Sequence, residues 1–237
     1  VHATDTFSSN LIYSITYGRA IIIDKNGDVW RSIGRPANDN DSGSLGFAKC
    51  NNSVPFAKIA PVGTDATAPY QGFGIDFDGN GYLFNTTGYA YTTADSYEIT
   101  TITPYKAGTK YSKCVAHAES GNTGIWVVEE DGTLDAPQFD LLANARESCT
   151  PSILADITSK GYKIRDLTPS SDPFYMTTLD GRLVVTGKIQ VPAGPWVNNI
   201  ESTTTNSGEF VLPNGFHTTT LNRNQRSKTA CVVLEAD

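Results

Sequence analysis

The sequence contains no run of about 18 consecutive apolar residues, so no segment is predicted to span a membrane as a helix. Positive charge is scarce, because 18 Lys and Arg face 25 Asp and Glu and leave a net charge of −7. That balance argues against a generic nucleic-acid binder, which needs a basic surface. Hydrophobic residues nevertheless make up 39% of the 237 residues and aromatics 10%. This composition excludes a disordered chain and supports one large domain or two small ones.

The chain begins at Val1 with no basic-then-apolar signal segment. We expect either that a segment before Val1 was removed or that the chain is a piece of a longer protein.

The four cysteines, Cys50, Cys114, Cys149 and Cys231, are far apart and form no C-x-x-C pair. A zinc site is therefore not expected. Three full disulfide pairings are open, and the favoured interpretation is four buried thiols.

The sequence lacks the common motifs of phosphate-binding, dinucleotide-binding and nucleophilic catalytic sites. The sequence has no G-x-x-x-x-G-K-[ST], no G-x-G-x-x-G after a strand and no G-x-S-x-G. The histidines His2, His117 and His217 have no other His and no Cys two to four residues on. We therefore predict a protein that is not an enzyme, with no catalytic residue, no metal ligand and no cofactor, and we assign no binding residue.

An internal repeat is the strongest pattern present. Four segments consist of an apolar run, a turn containing an acidic residue and Gly, and a second apolar run, at residues 20–34, 73–88, 124–134 and 174–187. Counted from Gly27, Gly81, Gly132 and Gly181, the separations are 54, 51 and 49 residues. A period near 50 built on a hairpin is typical of a four-stranded propeller blade.

The turns and flanking aromatics fit that interpretation. Asn-Gly and Asp-Gly between apolar runs predict two-residue hairpin turns. Trp30 and Phe84 each lie three residues after the assigned turn glycine, where they are expected to pack between blades.

A partial fifth copy covers residues 229–237 and resembles the first half of a hairpin. We predict an all-β propeller of about five four-stranded blades, forming a single domain over residues 1–237. In one alternative the N-terminal stretch, residues 1–17, closes the ring. In the other, the natural chain continues beyond Asp237. One short helix is predicted within residues 139–147, and residues 200–207 are predicted to form a loop.

The first repeat continues with an Asn-rich loop, then Gly43-Ser44-Leu45-Gly46, Pro55 and Ile59. This order resembles the regulator of chromosome condensation repeat, well over residues 18–60 and loosely elsewhere. Later repeats retain parts of it, with Ile102 and Pro104 in the second and Pro151 and Ile153 in the third. Tectonin-type propeller lectins are the second resemblance. Both imply a propeller used for binding. The first family's nucleotide exchange on a small GTPase and its histone binding are not carried over, because no matching functional motif is found.

Two hairpin turns carry alternating oxygen side chains that could bind calcium, as integrin-type propeller loops do. The sets are Asp24, Asn26 and Asp28, and Asp76, Asp78 and Asn80. The ninth positions are Ser32 and Phe84, which depart from that pattern, so turn chemistry is the favoured interpretation.

The function expected from these features is a binding or structural module on an exterior surface, extracellular or on a virion. We expect a virion or phage-tail component, or an adhesin, whose partner is a protein or a glycan. One alternative is a soluble lectin that uses loop aromatics such as Trp126 and Trp196. Another is a secreted polysaccharide-acting enzyme with carboxylates among Asp156, Asp166 and Asp172.

Overall fold

A computed structural model describes residues 14–16, 19–33, 46–61, 70–86, 98–119, 122–137, 151–168, 174–187, 189–191, 200–203, 205–212, 215–223 and 230–236. Strands are the main regular elements of these residues, and one helix is present in the described part of the chain. The chain divides into two compact units, Val1–Cys114 and Val115–Asp237. Within the described residues, no helix has the length and apolar character needed to cross a bilayer.

The first unit contains two four-stranded antiparallel sheets. Their strands are β1 (Ser14–Thr16), β2 (Arg19–Ile23), β3 (Val29–Ile33) and β4 (Gly46–Lys49), followed by β5 (Phe56–Pro61), β6 (Tyr70–Asp76), β7 (Gly81–Thr86) and β8 (Ile99–Pro104). Each sheet runs in sequence order, with β2–β3 and β6–β7 as central hairpins. The predicted hairpins at 20–34 and 73–88 are confirmed.

The second unit continues the pattern with a helix inserted. Its elements are β9 (Tyr111–Glu119, which begins in the first unit), β10 (Asn122–Glu129), β11 (Leu134–Asp135), α1 (Pro151–Ser159), β12 (Ile164–Leu167), β13 (Phe174–Thr178), β14 (Leu183–Thr186), β15 (Ile189–Val191), β16 (Ile200–Ser202), β17 (Gly208–Phe210), β18 (Phe216–Arg223) and β19 (Ala230–Ala236). The sheets are β11-β10-β9, β12-β13-β14-β17, β15-β16 and β18-β19. The hairpins at 124–134 and 174–187 are confirmed, and the segment 229–237 contains the predicted strand.

The turns differ from the two-residue loops that we expected. In the first hairpin, the Asp24 amide donates to the Asp28 carbonyl (3.0 Å) and the Gly27 amide donates to the Asp24 carbonyl (3.0 Å). Three residues therefore form each loop, and only the third, Gly27 with φ 83°, is left-handed. This is a type I turn followed by a glycine bulge, which suits strand twist as well as the two-residue types do.

The second turn glycine is Gly79 (φ 82°), not Gly81, which begins β7. The spacing of Gly27, Gly79, Gly132 and Gly181 is therefore 52, 53 and 49 residues. The residue equivalent to Trp30 is accordingly Tyr82, and the pairing of Trp30 with Phe84 is wrong.

A repeated hydrogen bond links each turn to the strand that opens the next sheet. In each case one residue of that strand, which we call the linking residue, donates its backbone N–H to the carbonyl of the preceding turn glycine. The four bonds are Phe56 to Gly27 (2.9 Å), Tyr111 to Gly79 (2.8 Å), Ile164 to Gly132 (2.7 Å) and Thr218 to Gly181 (2.9 Å). Three of these strands carry a bulge directly after the linking residue. The linking residue of the third repeat is Ile164, so matching Pro151 and Ile153 to Pro55 and Ile59 was wrong, since those two residues lie in α1.

Each unit has its own core. In the first, Phe56 and Phe84 pack with aliphatic residues of β2, β3 and β5, and their ring centroids lie 5.9 Å apart. In the second, Trp126 and Phe174 pack against Ile153 and Ile157 of the helix. Cys50 and Cys114 are buried, as expected for core thiols. Cys149 and the side chain of Cys231 lie outside the described residues.

Other expectations have mixed outcomes. Residues 139–147 lie outside the described part of the chain, and the helix that is described begins at Pro151. Residues 200–202 form a strand rather than a loop. Ser14–Thr16 pair with β2 in the first sheet, and the rest of residues 1–17 lies outside the description. Closure of a ring of about five blades in one domain stays a prediction.

Candidate functional site

The turn between β6 and β7, residues 76–80, combines a rigid backbone with an exposed aromatic side chain; we call it the Phe77 turn. Phe77 occupies the first loop position and is 60% exposed. The same position holds Lys25, Glu130 and Leu179 in the other three hairpins. The aromatic residue is therefore not required by the turn itself.

The Asp76 carboxylate fixes this turn by accepting four hydrogen bonds. Oδ1 accepts the backbone N–H groups of Asp78 (2.9 Å) and Asn80 (2.8 Å). Oδ2 accepts the Asn80 side-chain amide (2.8 Å) and the Tyr82 hydroxyl (3.0 Å). Charge-assisted bonds of this kind are stronger than neutral ones, so the loop conformation is held in place before any partner arrives.

Lys110 also holds the turn, through two hydrogen bonds from its side chain. Lys110 Nζ donates to the Asp78 carbonyl (2.8 Å) and to Asn80 Oδ1 (2.7 Å). The next residue, Tyr111, is buried and donates its N–H to the Gly79 carbonyl. The turn is thus tied to the strand that begins the following sheet.

Electrostatics of the turn follow from these bonds. Burial alone would raise the pKa of Asp76, but the hydrogen bonds from Asn80, Tyr82 and Asp78 outweigh burial and hold that pKa below its usual value. Burial, with the bond to Asp76, raises the pKa of Tyr82. At neutral pH the site therefore holds an ionised carboxylate and a neutral phenol.

The first hairpin uses the same device. Asp24 Oδ1 accepts the N–H groups of Asn26 (2.8 Å) and Asp28 (3.0 Å), and Oδ2 accepts the Trp30 indole N–H (3.0 Å). Both proposed calcium sets thus have their first carboxylate engaged in turn and strand hydrogen bonds. Among the described residues, no group of three or more His, Cys, Asp or Glu side chains is placed to hold a metal ion.

Replacing Asp76 with alanine is expected to reduce the free energy of unfolding by about 2 kcal/mol at pH 7, because several backbone and side-chain donors lose a charged acceptor. The folded-state pKa lies below the unfolded value of about 3.9, so this stabilisation is complete above about pH 4 and is lost as the pH falls through the folded value. Urea denaturation at pH 7 and near pH 3 measures both effects.

Asp78→Ala is the matched control for that experiment. Asp78 is exposed, and its carbonyl, which survives the substitution, is what Lys110 contacts. The free energy of unfolding of this variant should stay within about 0.5 kcal/mol of the wild-type value. Equal losses for the two variants would show that the Asp76 network does not hold the turn.

The carboxylates considered for an enzyme are engaged in local contacts. Asp156 on α1 accepts the Ser207 amide (2.7 Å) and the Lys160 ammonium (2.9 Å). Asp166 lies on β12 and accepts the Leu167 amide (2.7 Å), and Asp172 lies outside the described residues. The structure does not bring Asp156 and Asp166 together in any described contact.

Of the two tryptophans considered for a lectin, one is buried and the other lies outside the described residues. Trp126 is a core residue of the second unit, which removes it as a sugar-stacking surface. Trp196 lies outside the described residues. Phe77 was not singled out from the sequence, although an apolar residue between two Asp residues directly before a turn glycine is a signal that could have found it.

Comparisons with known proteins agree with this fold. Human WBSCR16 is similar in structure to the chain with a TM-score of 0.50 and 15% identity, over 86% of this chain and 54% of that protein. Prp20p from Saccharomyces cerevisiae, described together with its binding properties to Gsp1p and histones, gives a TM-score of 0.52 and 14% identity over 89% and 52%. The chain thus spans about half the length of these proteins. No protein-family model and no curated protein sequence matches it.

These structures confirm the β-propeller fold and the resemblance to the regulator of chromosome condensation repeat, since Prp20p is the yeast protein of that type. The expectation of an extracellular or virion location was wrong, as was that of a virion, phage-tail or adhesin component. The similar structures are of the regulator type and give no support to an exterior surface. A glycan partner has no support either.

Proposed function

We propose that this chain is a protein-binding module without a catalytic step, and that the Phe77 turn is a principal contact of its partner. The observation that supports this most is a largely exposed phenylalanine on a turn held by four hydrogen bonds to one carboxylate. Aromatic anchors of this kind dominate the binding energy of protein interfaces.

Rigidity makes the exposed ring more effective. A flexible loop loses conformational entropy when a partner orders it, whereas a turn already fixed by Asp76 and Lys110 loses little. Burying the Phe77 ring in a partner's pocket therefore contributes most of its hydrophobic free energy to affinity. That energy is about 1.5 to 3 kcal/mol for a fully buried side chain of this size.

The charge around the ring favours a partner with a basic surface. Asp78 is exposed beside Phe77, and Asp76 stays ionised because its pKa is lowered, so two carboxylates face the one ammonium group that the described residues place at the turn, that of Lys110. The chain as a whole carries a net charge of −7, which steers basic proteins toward it. Histones, which are among the proteins that Prp20p is described as binding, belong to this chemical class.

The test is a titration of the labelled full chain with purified core histones at moderate salt. Phe77→Ala should weaken binding by at least tenfold, which corresponds to about 1.4 kcal/mol. Lys25→Ala alters the same loop position of the first hairpin and should change affinity by less than about twofold. Unchanged affinity of the Phe77→Ala variant would exclude the Phe77 turn as a contact for histones.

A further inference from the structure

We propose that Asn26, in the turn between β2 and β3, is a site of spontaneous deamidation that converts the backbone there to isoaspartate. The residue after Asn26 is Gly27, which has no side chain to obstruct attack of its backbone nitrogen on the asparagine. This inference concerns a different hairpin from the Phe77 turn and does not depend on the function proposed for that turn. The sequence has three Asn-Gly pairs, at residues 26–27, 80–81 and 214–215, and Asn214 lies outside the described residues.

The reaction consumes one water and releases one ammonia. The backbone nitrogen of Gly27 attacks Cγ of Asn26, the bond between Cγ and Nδ2 breaks, and the side-chain nitrogen leaves as ammonia with the proton that Gly27 gives up. Water then opens the five-membered succinimide ring that has formed. Attack of water on the former backbone carbonyl leaves Gly27 attached through Cγ, which is isoaspartate, whereas attack on Cγ gives aspartate. No oxidant or reductant takes part, since an amide is exchanged for a carboxylate.

The side-chain amide of Asn26 is accessible and is not held by the fold. Asn26 is exposed, and among the described residues its contacts come from its backbone, whose N–H donates to Asp24 Oδ1 (2.8 Å). The attacking nitrogen, that of Gly27, donates its N–H to the Asp24 carbonyl (3.0 Å). One neutral backbone hydrogen bond therefore has to open before the attack, and a bond of this kind is a small barrier.

The same dipeptide in the second hairpin is anchored at both ends of its amide. Asn80 Nδ2 donates to Asp76 Oδ2 (2.8 Å), and Asn80 Oδ1 accepts a hydrogen bond from Lys110 Nζ (2.7 Å). The side chain has to break both charge-assisted bonds before Cγ can turn toward the nitrogen of Gly81. Gly81 is also the first residue of β7, where it pairs with Ile75. The two dipeptides are identical in sequence, but the structure predicts that only Asn26 reacts readily.

Isoaspartate at residue 26 disturbs the link between the first hairpin and the next sheet. The modified residue adds its Cβ to the backbone, so the loop becomes one atom longer directly before Gly27. The Gly27 carbonyl accepts the Phe56 N–H (2.9 Å) and the Asn52 side-chain amide (3.1 Å). A longer loop displaces this carbonyl from both donors, and the first unit is expected to lose stability as a result.

The experiment is incubation of the folded full chain at pH 8 and 37 °C, followed by peptide mass spectrometry of each Asn-Gly pair and an isoaspartate assay. We expect deamidation of Asn26 to be at least about tenfold faster than that of Asn80, because two charge-assisted bonds oppose the reaction at Asn80. The chain unfolded in urea is the reference, in which the two residues should react at similar rates. Equal rates at the two residues in the folded chain, or a faster reaction at Asn80, would overturn the proposal.

Two variants test the causes separately. Lys110→Ala removes the bond to Asn80 Oδ1 and should raise the rate at Asn80 by at least about threefold, while the rate at Asn26 stays the same. An unchanged rate at Asn80 would show that this anchor does not protect it.

Asn26→Asp carries the new charge without the longer backbone. This variant should unfold at the same urea concentration as the fresh wild-type chain, whereas the wild-type chain with isoaspartate at residue 26 should unfold at a lower concentration. Equal urea midpoints for these two forms would contradict the effect assigned to the longer loop.

Discussion

Replacing Gly27 with alanine is expected to lower the free energy of unfolding of the first unit by about 4 kcal/mol. Gly27 has φ 83°, where an added Cβ costs about 1 to 2 kcal/mol. That Cβ would also lie 2.7 Å from the Phe56 nitrogen and 2.7 Å from Pro55 Cβ, in the segment that the Gly27 carbonyl bonds. Such overpacking adds about 1 to 3 kcal/mol. Urea denaturation followed by tryptophan fluorescence measures the loss.

Gly108→Ala separates the cost of the positive φ from the cost of the close contacts made by the added Cβ. Gly108 also has a positive φ, 91°, but a Cβ there would meet nothing within 4 Å. This variant should lose only the conformational part, about 1 to 2 kcal/mol. If the two alanine variants were equally stable, the close contact between the turn and the opening strand of the next sheet would not contribute to stability.

Replacing Phe56 with alanine is the second large effect, with an expected loss of about 4 kcal/mol. The Phe56 side chain is fully buried, its ring packs edge-on against Tyr82 with centroids 6.2 Å apart, and it covers Gly74. The resulting cavity cannot close easily, because Phe84 and the sheet backbone surround it. The measurement is again urea denaturation.

Phe77→Ala is the matched control, since it removes the same side chain from an exposed position of the same unit. Its loss should be within about 0.5 kcal/mol. That result would also establish that any binding defect of this variant reflects a lost contact and not unfolding. A loss below about 1 kcal/mol for Phe56→Ala would contradict the assignment of this residue to the core.

The hairpins could be predicted because their signals are local. An acidic or amide residue and Gly between two apolar runs specify a turn with little help from the rest of the chain. The second repeat was assigned wrongly because Gly79 and Gly81 both lie near the turn. The hydrogen bond from the Gly79 N–H to the Asp76 carbonyl and the φ of 82° identify Gly79 as the loop glycine. As a result, Phe84 instead of Tyr82 was matched to Trp30 of the first repeat.

The helix Pro151–Ser159 shows a different failure. Pro151 at its start and the apolar Ile153, Leu154 and Ile157 are a recognisable helix pattern. Matching Pro151 and Ile153 to a repeat motif obscured that pattern. The structure shows Ile153 and Ile157 buried in the core of the second unit instead.

The candidate site could not be predicted in full, because its exposure depends on where the strand ends. Phe73, Ile75 and Phe77 alternate as a buried strand face would, yet only the first two are buried. The loop begins after Asp76 and turns Phe77 outward.

The most direct test of the protein-binding role places a photo-crosslinking phenylalanine analogue at position 77 of the full chain, with position 25 as the control. Irradiation in an extract of the source cells should give a discrete crosslinked protein from position 77 and little or none from position 25. The crosslink should also disappear when unlabelled wild-type chain competes, but persist with unlabelled Phe77→Ala. Equal crosslinking from both positions, or no protein adduct at position 77, would contradict the role assigned to the Phe77 turn.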